Sequence, residues 1–327
     1  MKELNKSFSS LIREINHYPI LYELLPPPAT ATEKDKSAFF QIIDKVLSDI
    51  HVDAINIPEV REESGQTKDK GAATYQREDP RFFARELGNH LNIPVIVNHV
   101  VVHDPVPSFY QWIERSYHEF TIRNVILVGG ESNQIRYPGP TVREAAAWVT
   151  GDFNNKNQEK ILIGGITIPT RRSKEKDADE PARLLSKALS GIEFFTSQVI
   201  YEAESMKKLL FDYDSLCRQE GVKPKRIFLS FAPASNTKDI QFLRWLGVEI
   251  PVEVARQLHQ GWIGMGWRSV ELCRKILAEI LDYAQKNKLQ VPLGINVEHV
   301  MKYNVELSKE LLVNLSKVFQ QHLSLIK

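Results

Sequence analysis

PILYELLPPP, residues 19–28, is an apolar run that contains one carboxylate and ends in three prolines. The run predicts a buried β-strand with Glu23 at its C-terminal end. Three consecutive prolines can neither donate to a sheet ladder nor continue a helix, so the chain must leave the strand just after Glu23. A carboxylate at this position is either a structural ion-pair partner or a site residue, and the stretch alone leaves both open.

Strand-like and helix-like segments alternate on both sides of this stretch. Apolar positions at helical spacing predict a short helix over residues 5–17, which could plug the bottom of a barrel. Thr32-Glu33-Lys34-Asp35 is typical of a helix start and predicts a helix to about Asp49. The other predicted strands are residues 54–58, 94–100, 123–129, 160–168, 192–200, 226–231 and 291–297. The other predicted helices are residues 80–91, 107–121, 140–150, 178–190, 202–220 and 304–325, with two or three more before the last strand.

About eight strands, each followed by a helix, predict an α/β fold of the (β/α)8 TIM-barrel type. Residues 1–327 are expected to form a single barrel domain, with an N-terminal helix and extra helices between strands 7 and 8. A doubly wound open sheet is the alternative. Such a sheet more often has a Gly-rich phosphate turn after its first strand, where this chain has three prolines.

The composition points to a small-molecule partner. Hydrophobic residues make up 43% of the chain and charged residues 25%, and the formal net charge is +1, which gives no electrostatic reason to expect nucleic acid or a membrane surface. The N-terminus lacks an apolar signal region and no run approaches the length of a membrane span, so a cytoplasmic protein is expected. Cys217 and Cys273 are expected to be reduced thiols. A homo-oligomer remains open.

Catalytic groups of a (β/α)8 barrel gather at the C-terminal ends of the strands. The polar residues at these ends are Glu23, Asn56, Asn98 with His99, Gly129-Gly130-Glu131, Thr167, Gln198, Ser230, and Asn296 with Glu298. Several acids and amides suit a flat heterocycle that is rich in hydrogen-bond donors and acceptors. No metal site is predicted, because His99 and His103 flank a loop rather than one helical face and are better explained as hydrogen-bonded loop histidines.

Three further features have two interpretations each. The pairs Gly129-Gly130 and Gly164-Gly165 let the backbone approach a ligand or relieve crowding in the barrel. Arg171-Arg172 suits a phosphate or carboxylate, or is a solvated loop. The polar residues 59–79 are expected to form a mobile loop at the active face.

Four segments of the chain resemble the methylenetetrahydrofolate reductase family, in order along nearly the whole length. Residues 22–27 resemble the family's first strand, in which the Glu is the catalytic acid. Thr196-Ser197-Gln198 resembles the Thr-x-Gln of the sixth strand, in which the Gln binds the pterin. Residues 228–236 resemble the loop that lies over folate, and residues 124–131 take the place of the fourth strand.

The chain departs from the flavin-bearing branch of that family at two strand ends. Gly129-Gly130-Glu131 stands where that branch has Arg-Gly-Asp, and Ile168-Pro169-Thr170 stands where it has Tyr-Pro-Glu. Each departure removes a flavin contact, so the chain is more similar to the flavin-independent branch. The resemblance therefore implies NADH or NADPH as the cofactor, with FAD as the less favoured alternative.

The resemblance implies reduction of 5,10-methylenetetrahydrofolate to 5-methyltetrahydrofolate, a step of one-carbon metabolism and methionine biosynthesis. Glu23 would be the general acid, desolvated by Leu21, Leu24, Leu25 and the prolines, which would raise its pKa. The implied substrate-binding residues are Gln198, Asn56, Glu131 and Ser230, and the implied cofactor-binding residues are Gly129, Gly130, Thr167 and Arg171. A folate-binding barrel that transfers one-carbon groups without redox chemistry and a catalytically silent binding subunit remain alternatives.

Overall fold

Eight parallel strands close into a barrel in the structure, a computed structural model that describes residues 7–15, 17–60, 77–130, 136–171, 179–260 and 264–326. The strands are β1 (Ile20–Leu24), β2 (Ala54–Ile57), β3 (Val95–Val100), β4 (Asn124–Val128), β5 (Leu162–Thr167), β6 (Phe194–Ser197), β7 (Arg226–Phe231) and β8 (Leu293–His299). They pair in chain order, and β8 closes the barrel against β1. The predicted (β/α)8 barrel is confirmed.

Helices cover the outer side of the barrel, apart from the short first helix, which lies at its bottom. They are α1 (Phe8–Leu11), α2 (Glu33–Leu47), α3 (Pro80–Leu91), α4 (Val106–His118), α5 (Val142–Trp148), α6 (Asn154–Lys156), α7 (Glu180–Leu189), α8 (Glu204–Gln219), α9 (Thr237–Trp245), α10 (Val252–His259), α11 (Met265–Lys286) and α12 (Val305–Ile326). A π-helical turn (Val149–Phe153) joins α5 to α6, and a 3-10 turn (Lys302–Asn304) precedes α12. The helices expected between β7 and β8 are α9, α10 and α11. None of the described helices combines the length and apolarity needed to cross a membrane.

Local sequence explains where several elements begin and end. Thr32 caps α2 through the expected capping box, in which its hydroxyl accepts from the Asp35 N–H and the Asp35 carboxylate accepts from the Thr32 N–H. The chain leaves β1 after Leu24, just before the prolines, as predicted. In contrast, β6 ends at Ser197 and is shorter than the predicted span of 192–200. Both cysteines lie buried in helices as free thiols.

Alternate residues of each strand point into the barrel, and the inner apolar set is distinct from the outer one. The inner cluster contains Phe8, Ile12, Leu21, Ala54, Ile96, Ile126, Leu162, Phe194 and Phe228. A Cβ at Gly164 would lie 2.5 Å from the Phe194 ring, and one at Gly294 would lie 2.6 Å from the Phe228 ring. Gly164 therefore makes room for an aromatic ring inside the barrel, which supports the crowding interpretation of that glycine.

The N-terminal segment closes the bottom of the barrel. Phe8 of α1 packs against Phe194 and Phe228, with ring centroids 5.6 and 6.3 Å away. The helix is shorter than the predicted residues 5–17 because the chain beyond it binds a buried arginine. Arg226 donates to the carbonyls of Ile12 (3.0 Å) and His17 (2.9 Å), and also to those of Glu14 and Leu293. The expected plug is thus confirmed, with an arginine as its anchor.

Candidate active site

Glu23 points into the barrel at its C-terminal end. It lies two residues beyond Leu21, which belongs to the inner cluster, and so faces the same side of β1. The strand register pairs Glu23 with Asn56 on β2 and with Glu298 on β8. Paired residues of neighbouring parallel strands point to the same face, so three polar side chains meet at the barrel mouth. We call Glu23, Asn56, Ser230, Asn296 and Glu298 the mouth cluster.

Hydrogen bonds join the mouth cluster into one network. Asn56 Nδ2 donates to Glu23 Oε2 at 2.6 Å, and Asn296 Nδ2 donates to the same oxygen at 3.0 Å. The Asn296 amide nitrogen also lies 3.1 Å from Ser230 Oγ and 3.5 Å from Glu298 Oε1. A single amide group therefore contacts both carboxylates, and the network spans strands β1, β2, β7 and β8.

The environment of the two carboxyl groups favours their protonated forms. Burial raises the pKa of Glu23 to about 7, although the hydrogen bonds from Asn296 and Asn56 act in the opposite direction. Burial and then the negative charge of Glu23 raise the pKa of Glu298 well above its ordinary value, against the hydrogen bond from Ser230. Glu23 can therefore donate a proton near neutral pH, as a general acid must.

The sequence attributes the desolvation of Glu23 in part to Leu24, and the structure corrects this. Leu24 is on the opposite face of β1 from Glu23 and packs with the outer core beneath the helices. It therefore cannot desolvate the Glu23 carboxyl, because successive side chains of a strand point to opposite faces. Leu21 does lie on the inner side, and the amides of Asn56 and Asn296 supply the rest of the immediate surroundings.

Three buried amide oxygens around the mouth have no hydrogen-bond partner within the described ranges. They are Asn56 Oδ1, Asn98 Oδ1 and Asn296 Oδ1. Buried polar atoms in folded proteins nearly always have a partner. Because all three atoms are acceptors, the arrangement suits a ligand that offers several N–H groups.

Gln198 does not join the mouth cluster. Its Nε2 donates to the Leu246 carbonyl at 3.1 Å, and its Oε1 accepts from the Val199 N–H at 3.0 Å. Both ends of this amide thus bind main chain, and the side chain ties the end of β6 to the loop after α9. The role of Gln198 as a pterin ligand stays a prediction.

Gly129 and Gly130, two of the predicted cofactor-binding residues, lie next to side chains of the same chain. A Cβ at Gly130 would lie 2.3 Å from the Tyr137 ring, so this glycine accommodates a neighbouring tyrosine of the same chain. At Gly129 the nearest atom would be a Val142 methyl, at 3.4 Å. Neither glycine has a positive φ. Glu131 lies outside the described residues.

Thr167 and Arg171 face helix α7 rather than the barrel interior. Thr167 Oγ1 donates to Glu180 Oε1 at 3.0 Å, and Arg171 Nε lies 3.2 Å from Glu180 Oε2. Arg183 also pairs with this carboxylate, which is only 4% exposed. Arg171, Arg183 and Glu180 form an ion-pair cluster outside the strand layer. The roles of Thr167 and Arg171 in cofactor binding stay predictions, and Arg172 lies outside the described residues.

The predicted loop 59–79 is described only at its ends, because residues 61–76 lie outside the described part. At its start, Glu59 Oε2 accepts from the Val100 N–H at 2.7 Å and lies 3.0 Å from His99 Nδ1. At its end, Arg77 Nη1 donates to the Pro26 carbonyl at 2.6 Å. This contact fixes residue 77 beside the proline run that follows Glu23.

The histidines singled out in the sequence have structural partners. His99 points away from the barrel interior and stacks on Trp112, with ring centroids 3.9 Å apart. His103 packs edge-on against Tyr137, with the centroids 5.4 Å apart. Among the described residues, no group of three His, Cys, Asp or Glu side chains could hold a metal ion.

Asn98, Asn296 and Glu298 are site residues to which the sequence assigned no individual role. Each appears among the polar strand ends, but only the barrel register brings Asn296 and Glu298 beside Glu23. The alternation of residue types along β8 could have identified two of them, Asn296 and Glu298. Gly294, Asn296 and Glu298 alternate with apolar residues along β8, which is the pattern of a strand with a polar inner face.

The comparisons with known proteins agree with this fold. A solved structure of an uncharacterized protein from Clostridium thermocellum, which binds two copies of 5-methyl-5,6,7,8-tetrahydrofolic acid, superposes with a TM-score of 0.75. It is 22% identical in sequence, and the match covers 96% of this chain and 100% of that chain. This likeness shows the (β/α)8 fold. No protein-family model matches the chain, and no curated protein matches it.

Two other solved structures superpose less closely. N-(5'-phosphoribosyl)anthranilate isomerase from Pyrococcus furiosus has a TM-score of 0.44 and 12% identity, over 92% of this chain and 100% of that chain. A 2,3-dimethylmalate lyase of the PEP mutase/isocitrate lyase superfamily has a TM-score of 0.47 and 10% identity, over 73% of this chain and 78% of that chain.

Proposed function

We propose that this protein binds a reduced folate at the barrel mouth and reduces 5,10-methylenetetrahydrofolate to 5-methyltetrahydrofolate with NADH or NADPH. The observation that carries the proposal is the partly buried Glu23 carboxyl, held by Asn56 and Asn296 and with its pKa raised to about 7. The Clostridium thermocellum structure, which binds the product of this reaction, supports the choice of a folate.

The reaction needs an acid at a defined point. Protonation of N10 opens the five-membered ring of the substrate to an electrophilic iminium at N5, and Glu23 would supply that proton. An acid whose pKa lies near the working pH combines a large protonated fraction with a strong tendency to donate. Such catalysis typically contributes about 10²–10⁴-fold to the rate. The nicotinamide, when bound, supplies the hydride.

The hydrogen-bonding groups at the mouth also support a pterin as the ligand. The 2-amino group and the ring N–H groups of a reduced pterin are donors, and the amide oxygens of Asn56, Asn98 and Asn296 are acceptors without partners in the described part of the chain. A site built to hydrogen-bond such groups discriminates strongly against analogues that lack them. Binding and acid catalysis would then use one continuous network.

A folate-binding barrel without redox chemistry is the second candidate. It is favoured by the surroundings of the predicted cofactor-binding residues, because Thr167 and Arg171 bind Glu180 on the outer side of β5. The Gln198 amide is likewise bonded to main chain. In this version the mouth cluster would bind folate, and no nicotinamide would react.

Three measurements on the purified protein separate these versions. We expect a colourless protein that binds 5-methyltetrahydrofolate in a calorimetric titration and oxidises NADH or NADPH only when 5,10-methylenetetrahydrofolate is present. A flavin absorption band would show the FAD-dependent version instead. Folate binding without oxidation of either nucleotide would favour the second candidate. Absence of folate binding would contradict both.

A further inference from the structure

Glu298 is a second partly buried carboxyl at the mouth, and the proposed acid step does not use it. It is the register partner of Glu23 on the neighbouring strand, so the two side chains project from the same face of adjacent backbones. The Asn296 amide nitrogen contacts both, at 3.0 Å from Glu23 Oε2 and 3.5 Å from Glu298 Oε1. The carboxyl groups are therefore neighbours within one hydrogen-bond network.

The described groups around the pair provide no compensating positive charge. Ser230 on β7 hydrogen-bonds Glu298, and the charge that acts on Glu298 is that of Glu23. Tyr201, which follows β6, faces Glu298, and Asp239 of α9 and Cys273 of α11 face Tyr201 in turn. These groups are neutral or acidic. Within the described ranges, neither carboxylate of the pair is acted on by a lysine, arginine or histidine.

Two carboxylates in such surroundings cannot both ionise easily. Burial disfavours each charge, and the like charge of the neighbour disfavours the second one further. Groups that interact this strongly lose their protons in two steps that belong to the pair rather than to either residue. After the first proton has left, the second one is retained over a wide range of pH.

We propose that Glu23 and Glu298 share one proton at neutral pH, and that Glu298 is the positioning residue that keeps this proton available to Glu23. The inference rests on the proposed function of Glu23 as the acid. In the catalytic step the O–H bond of Glu23 breaks and an N–H bond forms at N10, which leaves both carboxyl groups ionised. A proton from solvent then restores the pair.

The decisive comparison is the wild type against Glu298→Gln, which keeps the shape and hydrogen bonding of the side chain but removes its titration. Carboxyl titration by infrared or ¹³C NMR spectroscopy should find one protonated carboxyl at pH 8 in the wild type and none in the variant. The alkaline limb of the pH profile of kcat should move to lower pH by about one unit or more in the variant. Glu298→Asp, which keeps a carboxyl, should restore most of the wild-type profile.

A stability profile tests the pair without any turnover. Because both pKa values are raised on folding, the pair's contribution to stability is greatest below pH 4.5 and is lost as pH rises. From pH 5 to pH 9, the urea midpoint of the wild type should therefore fall more than that of Glu298→Gln. Glu306→Gln, an exposed control whose side chain is 76% exposed, should follow the wild type.

The two proposals fail in different ways. Absence of turnover together with a retained carboxyl proton at pH 8 would remove the folate reduction and leave the proton-sharing pair intact. Identical carboxyl titrations and identical stability profiles for the wild type and Glu298→Gln would overturn the pair, whatever the enzyme assay shows.

Discussion

The pKa of a carboxyl group is shifted in opposite directions at the two ends of the barrel. At the bottom, Asp53 is 5% exposed and accepts hydrogen bonds from the Ile20 N–H (2.8 Å) and from the rings of His17 (3.0 Å) and His51 (3.3 Å). Burial alone would raise the pKa of Asp53, but these partners lower it well below its usual range. At the mouth, the donors to Glu23 among the described residues are neutral amides, and burial raises its pKa to about 7.

The same contrast holds for the main-chain and amide acceptors. At the bottom, Arg226 satisfies four carbonyl oxygens, which fixes the N-terminal plug. At the mouth, the amide oxygens of Asn56, Asn98 and Asn296 have no partner within the described residues. The bottom of the barrel is therefore built for stability, and the mouth retains binding capacity. This is the usual division of tasks between the two ends of a (β/α)8 barrel.

The largest expected loss of stability is that of Arg226→Met. The substitution removes the donors of four hydrogen bonds, two of them buried and two partly buried, and leaves the carbonyls without this donor. We expect the free energy of unfolding in urea to fall by at least about 3 kcal/mol. Arg115→Met is the matched control, because Arg115 is 55% exposed and pairs with Glu119, the residue that follows its own helix. It should change stability by less than about 1 kcal/mol, and equal losses in the two variants would contradict the anchoring role.

Phe8→Ala tests the plug itself. The ring packs inside the barrel bottom against Phe194 and Phe228, so its removal should cost about 3 kcal/mol of unfolding free energy in the same urea experiment. Phe211→Ala on α8 is the control, since this side chain is 44% exposed and should lose far less. If Phe8→Ala unfolded like the wild type, the N-terminal segment would not be part of the barrel core.

Asp53→Asn should lose less stability than the two preceding variants, and its loss should depend on pH. The folded-state pKa of Asp53 lies below its ordinary value of 3.8, so its stabilisation is present above that pH and is lost as pH falls. We expect the variant to be less stable by about 2 kcal/mol at pH 7 and to approach the wild type below pH 4. Glu23→Gln should instead gain stability relative to the wild type as pH rises, because the folded-state pKa of Glu23 is raised. Parallel stability–pH curves for Asp53→Asn and the wild type would contradict the comparison of the two ends.

The alternation of strands and helices made the barrel predictable from the sequence. The bounds of β7 were predicted as observed, whereas β6 was predicted too long because Val199 and Ile200 continue its apolar run into a buried loop. The length of α1 could not be predicted, since it depends on Arg226, more than two hundred residues away.

The sequence predicts which residues of the candidate site lie at strand ends. It does not predict which side of a strand a residue faces, or which residues the strand register brings together. The prolines located Glu23 at a strand end, and Asn56 was among the polar residues predicted at the end of the next strand. The outward direction of Thr167 could not be predicted, because a strand buried on both faces gives no apolar alternation to show which side chains point inward. The register pairing of Glu23 with Glu298 depends on closure of β8 against β1, which no local pattern encodes.

The most direct test of the account is the effect of Glu23→Gln on folate binding and on turnover, measured in the same preparation. The variant should bind 5-methyltetrahydrofolate with nearly the affinity of the wild type, because the amide keeps the shape of the side chain. Its NAD(P)H oxidation with 5,10-methylenetetrahydrofolate should fall by about 10²–10⁴-fold, because the proton donor is gone. Near-normal turnover in Glu23→Gln would contradict the central claim that this carboxyl delivers the proton.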